Sequence, residues 1–562
     1  MRRSRPFKRS DRQIRIPNSG LQAAYLKLTT AKLCSSIYQQ SRETRLLLFK
    51  VIGTQEIGCM RALAILLPYA EASPVPVSQS EPFAFEAIVK TMQTDVCVIG
   101  GGPAGSALAA QLSVLGNRVV LVERAEFPRR HLGESLTPGV RTLLESIGAG
   151  DVFGKTGASP VESVLVNWDK GLRERIDPES RGTIVDRGRF DALLLKHARA
   201  AGVQVLQPAV FRDCSPLAEG WRVTVEQGGE TIHVSARFLA DASGRAFATR
   251  GRKRRTGART TAYYAYWQGS DLPKRPRVEA GSDAWYWGVP IPDGTYNTLV
   301  FVDPRTYSPD VVQEMVARSG LLEGCRDIHM VSPFQAADAT PYIDEQSVTH
   351  NSIKVGDAAL SIDPLSSSGV QKAIQTALSG AVVVNTLLRR QESRGAAVEF
   401  YRSSLTDASE RHRRWTSEYY GAAAATRKSE FWRQRSSIDN PAEPVPRLNA
   451  GDFADEQLAL SLDLRLVESP CIDGEFVTLK TALQHPALER PVTYVGGSEM
   501  PPLVRRLRPG MKPMEIALLW SDQVPIRSGL ALTGWLLSKG LLVRARDERA
   551  QKPTHQITAF RL

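Results

Sequence analysis

The sequence predicts an α/β fold with a Rossmann-type dinucleotide-binding domain, an inserted mixed or antiparallel sheet, and a small C-terminal winged-helix-like α+β module. Three patterns support this prediction. A buried-strand pattern at Val96–Ile99 runs into a glycine-rich turn and a helix pattern of small residues. Aromatic residues recur along Thr261–Trp267 in the manner of a half-buried strand. After residue 446, two amphipathic helix patterns precede a short strand-like run.

Length and charge suggest how the chain is divided. Its 562 residues are enough for several domains, and 42% hydrophobic and 23% charged residues are ordinary for a globular protein. We expect a basic, poorly ordered extension over residues 1–91, a catalytic body over 92–440 and a small domain over 447–562. Residues 1–90 carry eight of the thirteen net positive charges, so the body itself is not basic. Met92 directly precedes the first strand pattern, and we expect it to be the functional start.

The glycine-rich turn carries the most specific chemical signal. Gly100, Gly102 and Gly105 form a GxGxxG motif between the first strand and the first helix. The glycines allow a tight turn and a close approach of the backbone to a pyrophosphate, and the helix N-terminus favours its negative charge. A second strand ends at Glu123, an acid placed to bind the ribose of an adenosine. The dinucleotide-binding residues predicted here are Gly100, Gly102, Ala104, Gly105, Glu123 and Arg124.

Two later strands also end in an acid. Phe238–Asp241 is an apolar run that ends in a carboxylate, and Ile353–Val355 is followed by Gly356 and Asp357. Asp357 can bind hydroxyl groups, and the helix that begins near Gly369 can stabilise negative charge. These elements resemble those of the glutathione-reductase-like flavoprotein monooxygenases and the flavin-dependent halogenases. The resemblance implies that the dinucleotide is FAD and that its further ligands are Asp241, Gly356, Asp357, Pro364, Ser368, Gly369 and Val370.

Two other segments extend the resemblance. Arg129–Pro138 is similar to the segment that passes near the flavin in halogenases and geranylgeranyl reductases. Val185–Asp191 is similar to a segment whose arginine, here Arg187, precedes a helix and contacts FAD. We expect that helix to run from residue 191 to residue 201.

Residues 255–345 are expected to form a largely mixed or antiparallel sheet that roofs the flavin and holds the substrate. Its strand patterns lie at Thr261–Trp267, Ala284–Ile291 and Tyr296–Val302. The first two contain aromatic residues and no ionised residue, which favours a ring carried by a polypeptide over a free amino acid with charges to bury. The predicted pocket residues are Tyr264, Tyr266, Trp285 and Trp287.

A comparison of motifs separates halogenation from hydroxylation. Trp285–Pro290 nearly matches the WxWxIP signature of flavin-dependent halogenases. In the tryptophan halogenases, a lysine lies between flavin and substrate, and the stretch that corresponds here, Thr156–Trp168, contains none. Ser366 stands where those enzymes have a glutamate. We therefore predict a halogenase-like body that has lost halogenation.

The sequence of Asp363–Val370 most resembles the corresponding motif of flavoproteins that hydroxylate a tryptophan in a partner polypeptide. These flavoproteins act during maturation of quinohemoprotein amine dehydrogenase or of cysteine tryptophylquinone enzymes. This resemblance implies an FAD-dependent monooxygenase that acts on an electron-rich ring through a flavin C4a-hydroperoxide. NAD(P)H or a separate flavin reductase would supply electrons, and dioxygen would be the co-substrate. His131 and Glu134 are candidate proton-transfer groups because they lie in the flavin-proximal segment. The alternatives are an aromatic halogenase, a geranylgeranyl-reductase-like oxidoreductase and a non-catalytic flavin-binding assembly factor.

The C-terminal segment is expected to dock a polypeptide or to have a structural role, and a lid or a dimer contact would have the same sequence pattern. Met511–Trp520 and Pro525–Lys539 have helix patterns, and Leu541–Arg544 has a strand pattern. The second helix carries only Arg527 and Lys539 as cations, too few to read DNA. We therefore expect no nucleic-acid partner. Six scattered cysteines without a CxxC pair predict neither a disulfide framework nor a metal site, and no apolar run reaches the ~20 residues of a membrane span. A cytoplasmic protein is the simplest expectation.

Overall fold

The structure of the protein is a computed structural model that describes residues 90–176, 181–304, 307–436 and 453–546. These residues belong to one unit of the chain, which begins at Glu86. The expected extension over residues 1–91 lies outside the described residues except at its last two positions. The α/β fold expected from the sequence is confirmed.

A seven-stranded sheet organises the first part of the fold. Its members are β1 (Lys90–Ile99), β2 (Val119–Val122), β8 (Gln204–Leu206), β9 (Val210–Leu217), β10 (Gly220–Gln227), β11 (Glu230–Asp241) and β20 (Ser352–Lys354). The order is β8-β2-β1-β11-β10-β9, with β20 beside the end of β11. The strands β8, β2, β1, β11 and β20 are parallel, whereas β9 and β10 form an antiparallel extension. The parallel strands therefore bring their carboxyl ends to one edge, where ligands bind in open α/β sheets.

Four helices cover one face of this sheet: α1 (Pro103–Val114), α4 (Arg187–Ala200), α6 (Gly369–Arg389) and α7 (Arg394–Ala424). The side chains of successive β1 residues point to opposite faces of the sheet, as in any β-strand. Val96 and Val98 join the core beneath the helices, while Cys97 and Ile99 join a smaller core on the other face. Among the helices of the described ranges, none is both long and apolar enough to cross a bilayer.

An eight-stranded sheet lies beside the first. Its members are β5 (Val164–Asn167), β6 (Leu172–Arg175), β13 (Thr261–Ser270), β14 (Arg277–Ala280), β15 (Trp285–Pro290), β16 (Tyr296–Val302), β17 (Arg326–Met330) and β18 (Gln335–Asp338). Every pairing is antiparallel except that of β14 with β5. The three strands expected within residues 255–345 are present. The sheet also takes β5 and β6 from an earlier part of the chain, which its sequence pattern did not predict.

Short elements connect the two sheets. One small sheet contains β3 (Ser135–Leu136), β4 (Ser159–Pro160) and β7 (Thr183–Ile184), and another contains β12 (Lys253–Arg255), β19 (Tyr342–Asp344) and β21 (Leu360–Ser361). The remaining helices of this part are α2 (Gly139–Ser146), α3 (Val152–Lys155), α5 (Pro309–Arg318) and α8 (Glu430–Ser436).

The C-terminal residues form a module with its own apolar core. It contains β22 (Leu458–Leu460), β23 (Arg465–Asp473), β24 (Phe476–Gln484), β25 (Tyr494–Val495), β26 (Ser498–Glu499), α9 (Met500–Arg505), α10 (Pro513–Leu519), α11 (Ile526–Ser538) and β27 (Leu542–Arg544). The two helices expected here are present as α10 and α11, and β27 pairs with β22. The hairpin β23–β24 packs on α6, where the backbone N–H of Val477 donates to Thr386 Oγ1 at 2.8 Å. The Val477 side chain belongs to the core of the larger body, so module and body share packing.

Candidate cofactor and active site

The turn between β1 and α1 has the geometry of a phosphate cradle. Gly100 has φ +102°, and a Cβ there would lie 2.6 Å from the Ala242 carbonyl oxygen. A Cβ on Gly105 would lie 1.8 Å from the Gly100 carbonyl oxygen, so both positions require glycine. Gly102, the N-cap of α1, would place a Cβ in open space, where Gly100, Gly102 and Ala104 line a large cavity. Gly105 lies beneath the turn. The free backbone N–H groups of the helix N-terminus suit a pyrophosphate.

Glu123 joins this turn to the end of β2. Its Oε2 accepts from the backbone N–H of Gly101 at 2.6 Å, and its Oε1 accepts from that of Ala125 at 2.8 Å. The buried carboxylate lines the cavity beside Arg124. Each oxygen has a second lone pair, so Glu123 can still accept from ribose hydroxyls.

Asp357 also lines the cavity, within the turn after β20. Its Oδ1 is 2.5 Å from Lys372 Nζ and its Oδ2 is 3.7 Å from Arg245 Nε. Burial opposes ionisation, but Lys372 and Arg245 outweigh it and hold the pKa of Asp357 below its usual range. Asp357 is therefore an anionic acceptor for hydroxyl groups. The sequence pattern did not identify Arg245 and Lys372 as partners of Asp357, because both reach the acid only through tertiary contacts.

The segment before α6 forms another part of the cavity wall. Pro364, Gly369 and Val370 line the cavity. Ser368 does not: it is the N-cap of α6, and its hydroxyl donates to the Ser366 carbonyl oxygen at 3.1 Å. It therefore shapes the turn from behind.

Asp241 also lies behind the wall, although it was predicted among the cofactor ligands. Its Oδ1 accepts from the backbone N–H and the hydroxyl of Ser243, at 3.0 and 2.6 Å. Its Oδ2 accepts from the backbone N–H and the hydroxyl of Thr249, at 2.9 and 2.7 Å. Asp241 does not line the cavity. It stabilises the turn that contains Ser243 and Arg245, and these two residues line the cavity.

The helix that follows Val185 begins four residues earlier than expected. The side chain of Asp186 caps it by accepting from the backbone N–H of Arg189, so Arg187 is the first helical residue. The buried guanidinium of Arg187 pairs with Asp191 through Nε and Nη2, at 3.1 and 3.2 Å. Its Nη1 donates to the carbonyl oxygen of Leu132 at 2.6 Å. Arg187 lines the cavity and anchors its neighbouring segment.

That segment carries the two candidate proton-transfer groups. Glu134 Oε1 accepts from Tyr266 Oη at 2.8 Å and from Asn297 Nδ2 at 3.0 Å, and its Oε2 accepts from the backbone N–H of Gly133 at 2.9 Å. Burial raises the pKa of Glu134 despite these bonds. The ring of His131 opens onto the cavity, yet the surrounding protein and the charge of Arg187 lower its pKa. A neutral imidazole and a buried carboxyl therefore share this wall.

Aromatic side chains form another part of the wall of this cavity, which has a volume of about 1350 Å³. Tyr264, Trp285 and Trp287 line it, whereas Tyr266 lies behind and contacts Glu134. Trp285 stacks on Phe301, with ring centroids 3.7 Å apart. Charged side chains enter from other segments: Arg130, Glu162, Asp169, Arg173 and Glu418. Among the described residues that line the cavity, none is a lysine.

The residues present fit FAD. The glycine turn leaves space for a pyrophosphate, Glu123 lines the cavity and would accept from a ribose, and Asp357 would accept from a ribityl chain. The cavity exceeds the range of roughly 300–1,000 Å³ that is usual for small-molecule sites, so a dinucleotide leaves room for a substrate.

Comparisons with known protein families and relatives also indicate an FAD-binding protein. The family described as FAD binding domain matches residues 93–263, and the family described as tryptophan halogenase matches residues 180–452. The chain is 30% identical to a tryptophan 2-halogenase of Chondromyces crocatus over 55% of this chain and 64% of that one. It is also 30% identical to the flavin-dependent halogenase armH3 of Armillaria mellea, over 56% of this chain and 72% of that one. The chain thus spans less than two thirds of the first relative and more than two thirds of the second.

A solved structure extends the similarity to most of the chain. The peptidyl tryptophan dihydroxylase QhpG, essential for tryptophylquinone cofactor biogenesis, superposes with a TM-score of 0.62 and 26% identity. The superposition covers 80% of this chain and all of QhpG. The motifs, the cavity and these similarities together show that the chain belongs to the flavin-dependent halogenase family and is an FAD-dependent oxidoreductase.

Proposed function

We propose that this protein is a monooxygenase that hydroxylates an electron-rich aromatic ring, and that the ring is a tryptophan side chain in a partner polypeptide. The observation that carries the proposal is that one cavity is lined both by the flavin-binding elements and by Tyr264, Trp285 and Trp287. Its described lining residues include no lysine. The similarity to QhpG, a peptidyl tryptophan dihydroxylase, supports hydroxylation and a peptide-borne substrate.

The chain contributes binding, orientation and exclusion of water. The glycine turn and the N-terminus of α1 would hold the pyrophosphate, and Glu123 and Asp357 would hold hydroxyl groups. When bound and reduced, FAD supplies the activation of dioxygen for oxygen transfer to a ring. NAD(P)H or a separate flavin reductase would provide the electrons. The aromatic wall would stack on the substrate ring, and His131 and Glu134, which also line the cavity, would exchange protons there.

The C-terminal module is the proposed docking element for the partner. Its Glu489 lies 3.6 Å from Arg411 Nε and 3.7 Å from Arg414 Nη1 on α7. The next turns of that helix line the cavity through Trp415 and Glu418. The module therefore contacts the same helix that borders the substrate region.

A test of docking uses the exposed apolar residues of α10. Met514 and Leu518 are one helical turn apart and about half exposed. Replacing both with aspartate should lower modification of a long polypeptide and leave modification of a short tryptophan peptide unchanged. Leu479→Asp, at an exposed apolar position on β24, is the matched control. Equal loss on both substrates would count against docking through α10.

An aromatic halogenase is the second candidate, because the curated relatives named above are halogenases. The two functions differ in the atom that reaches the ring. Hydroxylation adds one oxygen atom without halide, whereas halogenation replaces a ring hydrogen with chlorine or bromine.

The deciding experiment reduces the FAD of the holoprotein, admits oxygen, and follows free tryptophan and tryptophan-containing peptides by mass spectrometry with and without halide. We expect a halide-independent gain of oxygen, larger on peptides than on the free amino acid. Gly102→Val is the matched inactive control, because a Cβ there has no protein atom within 4 Å and the added side chain would enter the phosphate cradle. A halogenated product would contradict the proposal, as would oxygenation of free tryptophan that equals that of peptides.

A further inference from the structure

A serine that is hydrogen-bonded to a histidine lies in the loop before helix α6, next to the aromatic wall of the cavity. Ser366 lines the cavity. His412, on α7, lies behind it, with Nε2 3.1 Å from Ser366 Oγ and 3.2 Å from the Asp363 carbonyl oxygen. These residues are separated by 46 positions in sequence, and nothing in the sequence pattern pairs them.

The surroundings of His412 decide the direction of these hydrogen bonds. A carbonyl oxygen can only accept, so the proton of a neutral His412 ring belongs on Nε2. Burial lowers the pKa of His412, which favours the neutral ring. The single N–H at Nε2 is therefore shared between two acceptors, the Asp363 carbonyl oxygen and Ser366 Oγ.

The hydroxyl of Ser366 is then left with one hydrogen to donate. Its oxygen already accepts from His412 and from the backbone N–H of Ser368, at 3.2 Å. Within the loop, the hydroxyl can reach only the Asp363 carbonyl oxygen, at a long 3.4 Å. An acceptor in the cavity would make a better hydrogen bond. The loop therefore presents a directed donor to whatever occupies the cavity.

We propose that Ser366, oriented by His412, donates a hydrogen bond to an oxygen substituent on the aromatic ring held in this cavity. The proposal rests on the proposed function, in which that ring gains a hydroxyl group. A buried hydroxyl without a partner is costly, and Ser366 supplies a partner at this part of the cavity wall. The site therefore selects a hydroxylated ring over the unsubstituted ring of the same shape. Ser366 is the contacting residue, and His412 is a positioning residue.

The test measures binding rather than turnover. Indole, and the indoles hydroxylated once on the six-membered ring, are titrated into the oxidised holoenzyme while the flavin absorbance is followed. We expect at least one hydroxyindole to bind about 2- to 10-fold more tightly than indole, the range of one neutral hydrogen bond. Ser366→Ala should abolish this preference, and Ser366→Thr, which keeps a hydroxyl, should retain it. His412→Leu should weaken the preference, and His412→Gln should restore it because the amide can donate.

The outcomes separate this inference from the proposed function. A preference that survives Ser366→Ala overturns the role of Ser366, whatever the mass spectra show. Equal preferences in His412→Leu and the wild type overturn the role of His412. If the preference depends on Ser366 but the peptides gain no oxygen, the proposed hydroxylation fails and the hydrogen bond to a ring oxygen stands.

Discussion

Glu134 illustrates how burial sets the properties of one carboxyl group. Burial raises its pKa, and the bond from Tyr266 only partly offsets this effect. The folded protein therefore binds this proton more tightly than the unfolded chain, so the free energy of unfolding should fall as pH rises from about 4 towards neutrality. Glu134→Gln removes the ionisable carboxyl group. We therefore expect the free energy of unfolding of the wild type, measured by chemical denaturation relative to this variant, to decline as pH rises over that range. Glu126→Gln, at an exposed position nearby, is the control. A pH-independent difference between wild type and Glu134→Gln would contradict the prediction.

At the scale of elements, helix α4 positions a loop of the active site. The guanidinium of Arg187 joins Asp191 to the carbonyl oxygen of Leu132, and both charged side chains are buried. Arg187→Met leaves the carboxylate of Asp191 without its cation, which should cost about 3–5 kcal/mol of unfolding free energy. It should also weaken FAD binding, because the loop loses its anchor. Arg189→Met is the control on the same helix: that side chain is 66% exposed, and its surface pair is worth at most about 1 kcal/mol. Denaturation and FAD titration would measure both effects, and equal behaviour of the two variants would refute the anchoring role.

For the whole molecule, the hairpin β23–β24 joins the C-terminal module to the flavin-binding body. Val477 is fully buried in the core of that body, whereas Leu479 on the same strand is 57% exposed. Val477→Ala should lower the free energy of unfolding by about 2 kcal/mol through lost burial and a residual cavity. Leu479→Ala should change it by no more than about 0.5 kcal/mol. Because body and module share this packing, we expect Val477→Ala to lower the melting temperature of both together, measured by calorimetry with the flavin signal as a second probe. A module that melts alone at an unchanged temperature would disprove the coupling.

The sequence by itself determined the nucleotide-binding end of the site. The turn from β1 to α1 with Gly100 and Gly105, the acid Glu123 and the start of α6 were all predictable. Each depends on residues adjacent in the chain, because a strand, a tight turn and a helix N-terminus are local structures. The aromatic strands β13 and β15 were predictable for the same reason, from their composition and period.

Only the tertiary structure decided which side chains meet. Asn297 bonds to Glu134 across 163 positions, and His412 reaches Ser366 across 46. No local pattern encodes such pairs, because the partners come together only when separate elements pack. The same holds for Asp241: its sequence context is that of a ligand, but neighbouring N–H and hydroxyl groups turn its carboxylate away from the cavity. Local backbone preferences therefore specify where a cofactor is bound, whereas long-range packing specifies which groups surround its substrate.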